Sequence, residues 1–170
     1  MNKTNHSNIL IVGGGCAGIS VATRLHNLKS DLSISIIEPS DQSLYQAAWT
    51  LVGAGAYDKD KTIKPMTEVM PSYVNWIKDH AESFAPESNS VKTSNGEYSY
   101  DYLVVCPGLK INYAGIPGLQ ESIGKNNVCT NYSADMAVYT WECLKNLKGG
   151  TLLFTEPVSY THLRAHETTD

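Results

Sequence analysis

The sequence has little of what several large function classes require. It carries no basic block: thirteen Lys and Arg stand against seventeen Asp and Glu, a net charge of -4 over 170 residues. Nothing in that balance draws the chain to nucleic acid or to acidic lipid. Long apolar runs are missing too. The strongest, residues 9–12 and 103–105, are strand-sized and too short to span a bilayer. The opening residues 1–8 are polar and run straight into the first apolar segment, which leaves no room for a secretory signal or an Arg-rich transit peptide. Cysteine is scarce. Cys16, Cys106, Cys129 and Cys143 form no C-x-x-C and no zinc-ligand spacing with a matching His pair, and they are too few for a disulfide framework. The default expectation for each is a small buried apolar residue. What is present, 42% hydrophobic and 18% charged residues, is a globular composition. The length suits one modest domain or a piece of a larger protein.

The last stretch breaks the pattern. From Val158 to Asp170 there is no hydrophobic period of 2 or 3.6, directly after a segment that reads as a strand. The run resembles the translation of a transposon-end adapter used in library preparation. His162 and His166 stand four apart, but a metal site needs further ligands, and the order with Glu167 is not that of a zincin helix. No metal is expected there. Residues 158–170 are therefore read as a non-native, adapter-like tail, and residues 1–157 as an amino-terminal domain cut short.

The strongest signal lies near the start. Residues 8–12 read as a buried strand, followed by Gly13-Gly14-Gly15-Cys16-Ala17-Gly18, which satisfies G-x-G-x-x-G. Ile19, Ala22, Leu25 and Leu28 then recur at helical spacing. In that context Gly13 permits the tight turn, Gly15 lets the backbone approach a pyrophosphate, and Gly18 allows close packing of helix on strand. Free amides and the positive end of the helix dipole then face the phosphates. A second strand, residues 32–37, ends in Glu38, 20 residues after Gly18. An acid at the carboxyl end of that strand accepts hydrogen bonds from both ribose hydroxyls and repels a 2′-phosphate, which argues against NADP. Together these predict an adenine-dinucleotide site. FAD and NAD share the ADP half. A fingerprint this early, ahead of a β-rich insertion, favours FAD and a flavoprotein with two dinucleotide-binding domains.

The remaining pattern supports an α/β, Rossmann-like domain with a small β-meander. Residues 74–78 predict a third strand, residues 80–85 open the meander, and Asn95-Gly96 is a hairpin signal between strands at 90–93 and 98–100. Residues 102–105, apolar without alternation, predict a strand covered on both faces. That strand runs into Cys106-Pro107-Gly108, a second glycine turn at a strand's carboxyl end. Residues 132–147 predict a helix capped by Ser133 and ended by Gly149-Gly150, and residues 151–154 a further strand.

Several segments resemble the amino-terminal part of sulfide:quinone oxidoreductases, above all the mitochondrial-type branch. They are Ile37-Glu38-Pro39-Ser40, Leu44-Tyr45-Gln46, residues 49–56, Met70-Pro71-Ser72, Trp76-Ile77-Lys78 and Asn131-Tyr132-Ser133. The resemblance covers residues 8–157 and implies a pair of dinucleotide domains followed by a membrane-associating carboxyl-terminal region. It implies FAD as cofactor, with Cys16 and Ala17 at the pyrophosphate, Glu38 on the adenosine ribose, Gln46 along the cofactor, backbone groups of Ala81 on the adenine, and Gly108 at the second turn.

The reaction implied is oxidation of sulfide by a redox-active cysteine pair, with electrons passing through FAD to a quinone. In this branch both redox cysteines fall beyond Pro157, so the chain is expected to be inactive alone. Cys106 and Cys129 are the weak candidates within it, while Cys143 reads as helix packing. The expected location is the bacterial or mitochondrial inner membrane, with contact through the missing carboxyl-terminal region and the oligomeric state left open. Two near alternatives are a type II NADH:quinone oxidoreductase and the flavin subunit of a flavocytochrome c sulfide dehydrogenase. An alternative of another class is a non-catalytic nucleotide-binding module.

Overall fold

The computed structural model describes residues 5–155. The adapter-like tail at 158–170, with His162 and His166, lies outside them. Strand β1 (His6–Val12) leads through a glycine turn into helix α1 (Cys16–Leu28), and the chain returns as β2 (Ile34–Ile37). A loop excursion follows: β3 (Gln42–Leu44), α2 (Trp49–Gly53), β4 (Ile63–Pro65) and α3 (Met66–Val69). Then come β5 (Val74–Ile77), β6 (Ala81–Ala85), β7 (Ser90–Thr93), β8 (Gly96–Val105), the short α4 (Leu119–Ser122) and α5 (Ala134–Asn146). The main sheet runs β5-β2-β1-β8-β7-β6, parallel from β5 to β8 and antiparallel through the meander.

The unbroken apolar runs of β1 and β2 follow from burial on both faces. On one face Ile9, Ile11, Ile34 and Ile36 pack with Ala22 of α1, joined by Ile19 and Leu25. On the other, Leu10, Val12, Ile37 and Ile77 meet Val91 and Tyr100 of the meander. The meander thus lies over the sheet face opposite α1. Ser7 and Ser35 interrupt the apolar pattern where they hydrogen-bond each other at 2.6 Å, with Asn75 Nδ2 donating to Ser35 at 3.1 Å. Buried hydroxyls are tolerated because each is partnered.

A satellite core forms where α2 docks on α5, through Trp49, Val52 and Ala137. Two glycines of the 49–56 block make that docking possible. A Cβ on Gly53 would stand 2.5 Å from Asn131 Oδ1, and one on Gly55 (φ +71°) would enter the Trp141 ring. Trp49 Nε1 donates to Thr62 Oγ1 at 3.1 Å, and Lys59 pairs with Asp135 in the first turn of α5 at 3.0 Å.

Several expectations need correction. Residues 98–100 and 102–105 belong to one strand, β8, whose first part pairs with β7 and whose remainder pairs with β1. Its end is not covered on both faces. Tyr102 is 70% exposed and Val105 53%: Tyr102, opposite Ile9, lies on the α1 side but outside the cluster that α1 covers, and Val105, opposite Val12, lies on the other side and outside the cluster there. Leu28, at the helix end, is likewise exposed. The hairpin turns at Ser94-Asn95, one residue early, with Thr93 and Gly96 facing each other as the last pair. Residues 151–154 form no strand. Leu152, Leu153 and Phe154 are exposed, and a strand without a ladder partner is not stable. Ser133 stands at the N-cap of α5 but makes no side-chain cap bond.

The early turn has a cause in Asp79. Its carboxylate accepts from Ser94 Oγ at 2.7 Å, from Asn95 N and Nδ2 at 2.9 Å each, and from His80 N at 2.8 Å. The Ser94 hydroxyl leads the bonds that hold this carboxyl far below the ordinary carboxylate range, against the opposing effect of burial. A depressed folded-state value means that Asp79 contributes stability fully above the unfolded value near pH 4, and loses it as pH falls further. Asp79→Asn is therefore expected to lower the thermal midpoint at pH 5–8, with the gap to the parent closing below pH 3. Melting curves across that range check it.

Candidate dinucleotide site

The parallel strands end in register. Val12 pairs with both Ile37 and Val105, and Ile37 with Ile77. Gly13, Glu38, Lys78 and Cys106 therefore leave one sheet edge side by side, the edge where open α/β sheets take ligands. Gly13 adopts φ +104°, and its amide donates to Ile37 O at 2.9 Å. Cys106 N donates to Val12 O at 2.7 Å. A Cβ on Gly13 would collide with the Cys106 carbonyl, and one on Gly18 with the Gly13 carbonyl. Two of the three fingerprint glycines are thus fixed by backbone-to-backbone approach. Gly15 differs. It is exposed, adopts φ -75° and ψ -169°, and a Cβ there would meet nothing within 4 Å.

Gly15 is also the N-cap of α1, and no side chain caps this end. No acidic residue occupies the first turn. The leading amides at Cys16 and Ala17 consequently lack intrahelical acceptors, and both residues are exposed. Uncapped donors at a helix N-terminus, beside open space at a glycine, form a cradle suited to a phosphate.

Glu38 borders this cradle. Its Oε2 accepts from Gly14 N at 2.7 Å and its Oε1 from Ser40 N at 2.8 Å. Trp76 Nε1 donates to the Glu38 carbonyl at 2.8 Å, and Glu38 N donates to Ile77 O at 3.0 Å. The side chain lies so close over the turn that a Cβ on Gly14 would come within 2.7 Å of Glu38 Cγ. Gly14 and Trp76 are the residues that sequence reasoning left without a task. The middle position of three glycines in a row was the available signal for Gly14.

The fold gathers Gly13, Gly15, Cys16, Ala17, Gly18 and Glu38 at one edge. Gly108, at φ +77° with nothing within 4 Å of a Cβ, follows two residues after Cys106. Gln46 is exposed and opens the short turn before α2. Ala81 begins β6, pairs with Thr93 beside a register shift, and packs against the core. Cys106 sits in the turn after β8. Cys129 belongs to the loop before α5, where burial first, and then the neighbouring Cys143 thiol, push its titration up. It is no ready thiolate at neutral pH.

The model of the pyridine nucleotide-disulphide oxidoreductase family matches residues 7–137. The chain belongs to that family. Its α/β architecture, parallel core and glycine turn are the Rossmann-like dinucleotide fold of such proteins. Among relatives, it is 43% identical over 158 residues to the mitochondrial sulfide:quinone oxidoreductase of Dictyostelium discoideum, which covers 91% of this chain and 35% of that one. Against the mitochondrial sulfide:quinone oxidoreductase of Mus musculus it is 38% identical over 154 residues, 90% of this chain and 34% of the other. The solved sulfide:quinone oxidoreductase of Aquifex aeolicus superposes with a TM-score of 0.65 at 29% identity, covering 82% of this chain and 31% of that one. The chain spans about a third of the length of the curated relatives it matches. No described helix is long and apolar enough to cross a membrane.

The glycines separate into two classes by experiment. Gly18→Ala, driven into the Gly13 carbonyl, is expected to cost about 2–4 kcal/mol in urea unfolding. Gly15→Val meets open space in an extended conformation and is expected to change stability by no more than about 0.5 kcal/mol.

Proposed function

We propose that the chain is the FAD-binding domain of a sulfide:quinone oxidoreductase. Relatives of this family are FAD-binding flavoproteins. The observation that carries the reading is the uncapped start of α1 beside an oriented carboxylate, at the edge where the parallel strands end. The amides of Cys16 and Ala17 hold the pyrophosphate, and Gly15 leaves it room. An ionised carboxylate offers about four lone-pair directions. Gly14 N and Ser40 N occupy two at Glu38 and orient it, so two remain for the ribose hydroxyls. Gln46, Ala81 and Gly108 are assigned to the rest of the cofactor. Bound FAD supplies a two-electron relay.

In the whole protein, sulfide is the reductant and a quinone the acceptor. The redox cysteines, the membrane contact and the residues that set oligomeric state are assigned to the length this chain does not span. The fragment alone is inactive, and residues 158–170 are foreign to it. A type II NADH:quinone oxidoreductase is the second reading, and such enzymes are the more distant relatives.

Quenching of flavin fluorescence on titrating the purified chain tests the assignment. Glu38→Ala is expected to weaken FAD binding about 10–100-fold, the loss of charge-assisted hydrogen bonds. Gly15→Val is expected to abolish binding while the fold persists. Equal FAD affinity in all three proteins, or binding of NADH in preference to FAD, would overturn the reading. Binding of ADP without FAD would favour a non-catalytic nucleotide module.

A further inference from the structure

Cys129 and Cys143 stand apart from the nucleotide cradle. They lie where the loop at residues 124–129 runs along one face of α5. Met136, Tyr139, Thr140 and Cys143 recur there at spacings of three, four and seven, which align side chains on a helix. The loop meets them in order. A Cβ on Gly124 would stand 3.0 Å from Met136 Sδ, and Asn127 N donates to the Tyr139 hydroxyl at 3.2 Å. Cys129 then arrives beside Thr140 and Cys143.

The loop is held in this register. Asn126 and Asn127 both adopt left-handed backbone, φ +50° and +63°, a conformation Asn tolerates better than most residues. Val128 N donates to Lys125 O and Gly124 N to Val128 O, each at 2.9 Å, closing the turn. Cys129 Sγ donates to Asn127 O at 3.5 Å, and the Cys143 thiol beside the Tyr139 hydroxyl raises that phenol's titration. Both cysteines are partly buried and unbridged.

The geometry points to Cys129 and Cys143 as a thiol–disulfide site, at which a small-molecule disulfide is reduced while a bridge forms between loop and helix. One cysteine thiolate attacks the small disulfide, forms a mixed disulfide and expels one thiolate. The second cysteine attacks the protein sulfur of that mixed disulfide and expels the other. Two protons from the cysteines end on the two released thiols, and the electron pair that the cysteines lose is the pair the reagent gains. The bridge clamps the loop onto the carboxyl-terminal half of α5, the helix on which α2 docks. Because burial and the neighbouring thiol keep Cys129 protonated at neutral pH, the exchange is slow. The site therefore acts as a structural lock and not as a turnover centre.

The test exposes the full chain to oxidised dithiothreitol or oxidised glutathione, blocks remaining thiols with iodoacetamide and digests with trypsin. Lys125 and Lys145 bracket both cysteines with no Lys or Arg between them, so one peptide carries the pair. That peptide is expected to lose two hydrogens and to take up no carbamidomethyl group. Prior treatment with a dithiol should restore two labelled cysteines. The bridged chain should melt roughly 5–10 °C higher than the reduced one. Cys143→Ser should prevent the bridge and leave Cys129 labelled or as a mixed disulfide. Recovery of both wild-type cysteines as separate labelled thiols or separate adducts would overturn the proposal. So would pairing of either cysteine with Cys16 or Cys106 instead.

Discussion

Three backbone segments meet at Gly13 with no room for a methyl group, and the site depends on that junction. The end of β1, the turn after β8 and the first turn of α1 all approach the same residue, held by the bonds from Gly13 N to Ile37 O and from Cys106 N to Val12 O. Carbonyls of Gly13 and Cys106 occupy the volume that side chains at Gly18 and Gly13 would need. The helix axis is thereby aimed at the sheet edge, and its unpaired amides end up beside Glu38. The phosphate cradle proposed at this edge is a by-product of packing that the fold requires in any case.

The glycine block at residues 49–56 works by a comparable device at a second place. Gly53 and Gly55 let α2 come down on Asn131 and Trp141, and Trp49 closes the interface from the other side. Segments far apart in the chain, 49–56 and 131–133, that marked the resemblance to one branch of the family are therefore the two halves of one contact. Their specificity is that of a fitted joint. Gln46 precedes this joint by only a few residues, so the position of its loop is tied to the packing of α5.

Much of this was legible from residues alone. β1 and β2 announce themselves as apolar runs because both faces are covered, and the fingerprint glycines carry steric signatures that spacing exposes. Glu38 stood out by its distance from Gly18. The rest was hidden for physical reasons. The turn at Ser94-Asn95 is displaced from Asn95-Gly96 because Asp79, fifteen residues upstream, holds it through three hydrogen bonds, and no local pattern encodes such a grip. The unity of β8 was masked by Asp101, a polar residue two positions past Ser99, where the strand hands over from β7 to β1. Tyr102 and Val105 look like core by composition, yet they lie on opposite faces and neither is reached by the cluster on its side. Gly14 and Trp76 take their tasks from Glu38, a partner that only the folded chain brings near.

The placement of β1 carries a consequence for folding. β1 sits centrally, and its flank on one side comes from β8, distant in sequence and paired from His6 with Ser99 to Val12 with Val105. Until that late segment is in place, Leu10 and its neighbours present an unpaired strand edge to solvent. Long-range closure of this kind slows assembly and invites intermolecular pairing.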